Sequence, residues 1–166
     1  MKIDLPHTYA YIDFISNEEQ SKLIDWASSI LENKELNGNG FGRYFKALSK
    51  LSYVDSIVYE IKNRIIEIEG ITEAPLDPFF EDFLSFNLTG AAIHPHSDPN
   101  IENRIHTRYN LLVSLPDSGG QPIYNGNILE LQEKTLWRCE AGKYVHASTP
   151  VKGKKPRINI SYGFQI

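Results

Sequence analysis

The periodicity of the chain changes at Phe79, and that change limits the fold more than any other feature. Before it lie two helical stripes. Ser16-Asn-Glu-Glu19 forms a capping box ahead of Leu23, Ala27, Ile30 and Leu31, which share one helix face. The run from Asn37 to Gly42 interrupts the pattern, and Val54, Ile57, Val58, Ile61, Ile65 and Ile68 then recur at helical spacing until Gly70 and Pro75 end the segment. A short strand over Tyr9 to Phe14 precedes both. After Phe79 the chain reads as short β runs separated by turns: Phe80 to Leu88, Tyr109 to Leu115, Ile128 to Leu131, Leu136 to Cys139 and Arg157 to Phe164. Helices followed by many strands predict an α+β domain. Its core is expected to be a double-stranded β-helix, the cupin-like jelly roll, with the N-terminal helices packed on one sheet. The 166 residues, 41% hydrophobic and 23% charged, suit a single domain, with residues 1–75 as mainly helical support and 76–166 as the jelly-roll core with the site.

His96-Ser-Asp98, with His146 fifty positions beyond His96 and Arg157 eleven beyond His146, carries the chemistry. Two imidazoles and one carboxylate on one face of an octahedral metal leave three positions open, the arrangement suited to Fe(II) and O2. His96, Asp98 and His146 are therefore the expected catalytic metal ligands. The open positions accept a bidentate 2-oxo acid and O2, and the far end of such an acid needs a cation. Arg157 provides a guanidinium able to hold a carboxylate by two parallel hydrogen bonds. In the strand it begins, Arg157, Asn159 and Ser161 share one face, and Ile158, Ile160 and Tyr162 share the other. A polar face carrying a guanidinium and backed by apolar residues is what a strand holding a distal carboxylate would show.

With these residues the chain resembles the Fe(II)- and 2-oxoglutarate-dependent oxygenases, marked by His-x-Asp, a distant His and a basic residue ten or eleven positions later. The likeness is closest to the prolyl 4-hydroxylase-like branch. Three stretches carry it: Gly90 to Asp98, Gly119-Gly-Gln-Pro-Ile-Tyr124, and His146 to Ser161, covering roughly residues 84–166. The stretch from Gly90 to Pro116, with Arg104 and Arg108, is also similar to the aspartyl/asparaginyl β-hydroxylases, although many of those lack the Asp ligand that is present here. Two departures concern the cosubstrate: Asn87 stands where many prolyl hydroxylases have tyrosine, and Asn159 where a hydroxyl is usual, with Ser161 supplying one two residues later.

The resemblance implies Fe(II), 2-oxoglutarate and O2, with ascorbate as reductant in vitro. It also implies hydroxylation of a C–H bond on a prolyl or other peptidyl side chain, or on a free amino acid, with release of succinate and CO2. The retained Asp98 favours hydroxylation over halogenation. A non-catalytic, metal-binding jelly-roll protein is the alternative of a different class. A nucleic-acid dealkylase ranks below both: the further arginine of the DNA-repair dealkylases falls at Gly163, and a net charge of −4 disfavours a grip on phosphates, despite the local cluster Lys152, Lys154 and Lys155. Cosubstrate contacts are expected from Arg157, Ser161, Asn159, Tyr109 and Asn110, and substrate contacts from Arg108, Arg104 and Tyr124. His94 is read as adjacent to the site or solvent-facing, His106 as a solvated strand end or part of the substrate mouth, and His7 as surface. Trp137 and the lone Cys139 are read as core. Asn37 to Gly42 and Asp98 to His106 are expected to be lids. The N-terminus has no apolar leader and no run is long enough to span a bilayer, so a cytoplasmic protein that binds no membrane is expected.

Overall fold

The computed structural model describes residues 1–73 and 77–166. In chain order the elements begin with β1 (Lys2–Leu5), β2 (Thr8–Tyr11), helix α1 (Asn17–Glu32), β3 (Asn37–Gly38), β4 (Arg43–Ala47), a single 3-10 turn (Leu48–Lys50) and helix α2 (Ser56–Glu69). They continue with β5 (Phe83–Asn87), β6 (His106–Ser114), β7 (Ser118–Gly119), β8 (Pro122–Tyr124), β9 (Asn127–Ile128), β10 (Thr135–Cys139), β11 (His146–Ser148), β12 (Val151–Lys152) and β13 (Arg157–Gln165). Eight strands form one antiparallel sheet in the order β1-β2-β10-β6-β13-β5-β4-β3. A smaller sheet, β11-β8-β9, and the pair β12-β7 complete the jelly roll.

Local chemistry explains both helices. Ser16 caps α1 by accepting from the Glu19 backbone N–H, and the Glu19 carboxylate returns a bond to the Ser16 N–H. Asp55 caps α2 by accepting from Ile57 N–H, and Gly70 ends it in the left-handed conformation at φ 63°. Arg64 of α2 then clamps the start of α1, donating to Glu19 Oε1 at 2.6 Å and to the Phe14 carbonyl at 3.0 Å. Pro75, expected to help end this segment, and the expected division at 75/76 lie outside the described residues.

The helices cover one face of the large sheet. Leu23, Trp26, Ala27 and Ile30 of α1, with Ile57, Val58, Ile61 and Ile65 of α2, pack on Leu111 and Val113 of β6 and on Ile158, Ile160, Tyr162 and Phe164 of β13. Ile68, expected in this stripe, turns to solvent instead. A second apolar cluster lies inside the roll, around Leu112, Tyr124, Leu129, Trp137 and Cys139. All nine residues of β13 are buried because the strand is central, with β6 and β5 on its edges, helices on one face and the interior on the other.

The β1 strand and the β3–β4 hairpin have no counterpart among the sequence expectations, and the run at Ile128 shortens to a two-residue strand. The hairpin hides behind the glycines of Asn37 to Gly42, whose turn chemistry masks the two residues of β3 and draws attention from the five of β4. Ile61 is completely buried between α2 and the sheet. Ile61→Ala is expected to cost about 2–5 kcal/mol of unfolding free energy, read from the urea midpoint.

Candidate metal centre and its pocket

His96 and Asp98 lie on the connection between β5 and β6, yet this connection is held as firmly as a strand. Gly90 N–H donates to Val151, Val151 N–H to Ala91, and Ser148 N–H to Ile93. His96 and His146 exchange backbone bonds of 3.1 and 2.8 Å, and Asp98 N–H donates to Ala141 at 2.8 Å. The segment is thus zipped antiparallel to the chain around β11. Because the two histidines face each other across this ladder, their rings meet, with centroids 4.3 Å apart.

Each imidazole is oriented in the same way. His96 Nδ1 lies 2.7 Å from the His94 carbonyl, and His146 Nδ1 lies 3.3 Å from the Tyr144 carbonyl. A proton on Nδ1 that serves the carbonyl leaves Nε2 as a lone pair. Both Nε2 atoms turn to Asp98, at 3.4 Å from Oδ1 for His96 and 3.8 Å from Oδ2 for His146. The three ligand atoms lie within 4.8 Å of one another. A metal bonded at about 2.1 Å holds neighbouring donors about 3 Å apart, so small side-chain rotations close the site. Side-chain exposure is 44% for His96, 14% for His146 and 5% for Asp98, so solvent reaches the centre past His96.

Electrostatics keeps Asp98 ionised and shifts the two rings in opposite directions. Burial opposes the charge on Asp98, but the His96 hydrogen bond and the charges at His146, His106 and Arg108 outweigh it and hold its pKa below the usual carboxylate value. The hydrogen bond to Asp98 raises the His96 pKa, whereas burial lowers that of His146.

Beneath Asp98 lies a buried charge network. Arg108 Nη2 donates to Asp77 Oδ2 at 2.8 Å and to the Glu81 carbonyl, Nη1 donates to Ser161 Oγ at 3.1 Å, and Nε lies 3.8 Å from Asp98. Phe83 covers the guanidinium at 4.7 Å. Gly163 makes this possible, since a Cβ there would come within 2.9 Å of Asp77 and 3.1 Å of Arg108. His106, wholly buried beside Phe80, lies 3.4 Å from Asp77 and 3.6 Å from Asp98 with no hydrogen bond to either nitrogen. It is neither a solvated strand end nor part of the mouth.

A cavity of about 310 Å³ opens from the triad. Asn110, Asn159, Arg157, Trp137, Cys139 and Ala147 line it with polar and apolar groups, and the exposed rings of Phe45, Phe79 and Phe80, with Phe83, line it toward solvent. Arg157 is 3% exposed, its Nε has no partner, and burial together with the Arg43 charge lowers its pKa to about 10. Asn159 Oδ1 and the Trp137 indole nitrogen are also buried without partners.

Several expected contacts fall elsewhere. Tyr109 cannot share a strand face with Arg108 and Asn110. It points to the helix side, where its hydroxyl donates to Glu69 at 2.8 Å beside those of Tyr9 and Tyr11. Tyr124 is sealed in the inner apolar cluster, its hydroxyl accepting from Glu140 N–H. Arg104 reaches away from the cavity to the carbonyls of Glu73 and Gln165. Ser161 is on the expected face but is engaged by Arg108. His94 and His7 are exposed, Trp137 and Cys139 are buried, and the Asn37 to Gly42 segment reaches the cavity through Asn37. The segment from Asp98 to His106 is pinned by Asn100, which accepts from His106 N–H and donates to the Gly142 carbonyl.

Arg43 is among the cavity residues that escaped the sequence reading. Arg43 of β4 stands in register with Asn87, which is in register with Arg157 on its other side. The alternation Arg-Tyr-Phe-Lys-Ala was the available signal, since it sets Arg43 and Phe45 on one face and buries Tyr44 against the helix-side core.

Two measurements probe this centre. His96→Ala, Asp98→Ala and His146→Ala should each weaken Ni(II) binding by more than about 100-fold in calorimetry while the circular dichroism spectrum is retained. Burial, reinforced by Arg108, lowers the His106 pKa below its unfolded value of about 6.5. The unfolded chain then takes the proton first, so the stability tied to His106 is complete above about pH 6.5 and lost as pH falls below it. His106→Gln should therefore flatten the decline in metal-free stability between about pH 6.5 and 5, measured by urea unfolding.

No family model matches the chain, and no curated protein matches it in sequence. Solved structures do match it in shape. A collagen prolyl hydroxylase of Paramecium bursaria Chlorella virus-1, in complex with 2-oxoglutarate, superposes with a TM-score of 0.71 at 14% identity over 97% of each chain. A Pseudomonas putida prolyl-4-hydroxylase gives 0.65 at 16% identity, covering 94% of this chain and 90% of its own. HygX from Streptomyces hygroscopicus, with nickel and 2-oxoglutarate bound, gives 0.72 at 8% identity, covering 95% and 82%. Among the described residues no helix is long and apolar enough to cross a membrane. The chain has the double-stranded β-helix fold of the prolyl hydroxylase-like 2-oxoglutarate oxygenases.

Proposed function

We propose that the protein is an Fe(II)- and 2-oxoglutarate-dependent dioxygenase that hydroxylates a C–H bond of an amino acid or of a peptidyl side chain. The observation that carries this reading is Arg157, a guanidinium buried without an anionic partner in the same cavity as the triad. A buried unpaired cation is costly, and a dianionic ligand that reaches from the metal to Arg157 removes that cost. The donor set fits the metal as well: two imidazoles with free Nε2 lone pairs and one carboxylate leave half of an octahedron open.

The residues then divide the work. His96, Asp98 and His146 hold the metal, and the zipped backbone fixes their spacing. Arg157 fixes the distal carboxylate of the cosubstrate, with the Asn159 and Asn110 amides beside it as hydrogen-bonding groups. Arg108, immobilised by Asp77 and Ser161, keeps a positive charge behind Asp98 and favours its ionised form. Trp137, Cys139 and Ala147 give the cavity a largely apolar lining that excludes water from the reacting groups. Fe(II), when bound, supplies the oxidative chemistry by which 2-oxoglutarate, O2 and a C–H group become succinate, CO2 and a C–OH group.

The test is succinate release from 2-oxoglutarate by the protein with Fe(II), ascorbate and O2, across prolyl peptides and free amino acids. Turnover stimulated by one class, with the 2-oxoglutarate KM raised about 100-fold or more in Arg157→Ala, is the expected result. No succinate from protein whose site has been verified to contain metal would instead make the chain a metal-binding jelly roll without catalysis.

A further inference from the structure

The cavity holds a second, partly buried cation that the cosubstrate does not balance. Arg43 is partly buried with its Nε fully covered and without a hydrogen-bond partner, and among the described residues no carboxylate pairs with it, Asp98 acting on it only through its charge. Arg108, in contrast, is already matched by Asp77. Arg43 and Arg157 flank Asn87 on neighbouring strands, which sets their Cα atoms about 10 Å apart on one sheet face. Asn87 is wholly buried with both side-chain polar atoms unpartnered, so each residue of this row carries at least one buried polar atom without a partner. Arg43 lines the cavity beside Phe45, whose ring lies 5.0 Å from its guanidinium, and Lys46 and Lys50 line it too, against two acids, Asp98 and Glu81.

Charge counting separates the two arginines, on the oxygenase reading above. Fe(II) with Asp98 leaves one positive charge, 2-oxoglutarate brings two negative ones, and Arg157 supplies the remaining positive. That set is neutral, and Arg43 is left over. An uncompensated, partly buried guanidinium favours one more negative charge in the cavity, and the component not yet counted is the primary substrate. We propose that Arg43 receives a free carboxylate of the primary substrate, so that the protein acts on a small carboxylic acid with an apolar body rather than on a residue inside a polypeptide. A planar guanidinium with one charge matches one carboxylate, and the rings of Phe45, Phe80 and Phe83 offer contact to an apolar side chain.

Binding tests this without turnover. Protein loaded with Ni(II) is saturated with N-oxalylglycine, which keeps both carboxylates of 2-oxoglutarate, and titrated calorimetrically with free amino acids of apolar and aromatic side chains, each beside its primary amide. At least one acid is expected to bind about 10- to 100-fold more tightly than its amide, with the difference lost in Arg43→Gln and partly restored in Arg43→Lys. N-oxalylglycine affinity should follow Arg157→Gln and not Arg43→Gln. Equal binding of acids and amides, or no binding of any acid, overturns the assignment. So does a loss of N-oxalylglycine affinity in Arg43→Gln as large as in Arg157→Gln, which would make Arg43 a cosubstrate anchor. N-oxalylglycine binding that Arg157→Gln leaves intact sinks the oxygenase reading itself, and with it the charge count on which Arg43 depends.

Discussion

The reciprocal backbone hydrogen bonds between His96 and His146 organise the molecule's chemistry. Fifty residues separate the two, and neither stands in the large sheet. The antiparallel ladder from Gly90 to Asp98 against Ala141 to Val151 turns an irregular connection into an extension of the small sheet. Ladder pairing sets side chains opposite one another with little freedom, so the grouping of the candidate ligands comes from main-chain bonds rather than from the histidines' own attraction. Asp98 joins them through its bond to Ala141, which fixes the third donor in the same framework.

Strand β13 divides the molecule electrically. Its helix face is aliphatic and aromatic, and its inner face carries Arg157, Asn159 and Ser161. Burying a guanidinium is unfavourable in isolation, and the apolar packing of α1 and α2 on the opposite face is what stabilises a strand that carries one. Stability and function are thereby assigned to opposite sides of a single strand. The same division applies to β6, where Tyr109, Leu111 and Val113 face the helices while Arg108 and Asn110 face the cavity.

Much of this was legible in the sequence because it rests on period and spacing. The capping box at Ser16, the stripes of both helices and the alternation in β13 are local patterns, and the residues at 96, 98, 146 and 157, singled out by their spacing, do line one cavity. The parts that were not legible depend on partners distant in sequence. Whether Tyr109 or Asn110 faces the cavity is set by the register of β6 against β13, since alternation forbids both. Arg104 is drawn off by carbonyls at Glu73 and Gln165, and the whole hairpin that carries Arg43 is obscured by the glycines before it. Asp77 drew no notice in sequence because an isolated acid has no pattern; its role follows from the space that Gly163 leaves for Arg108.

The uneven shielding of the three ligands also sets a direction of traffic. Asp98 and His146 are covered by protein, whereas nearly half of the His96 side chain meets solvent. On the reading of these residues as a metal triad, an ion entering or leaving would meet water first at His96, and the two covered side chains would keep hold of it longest.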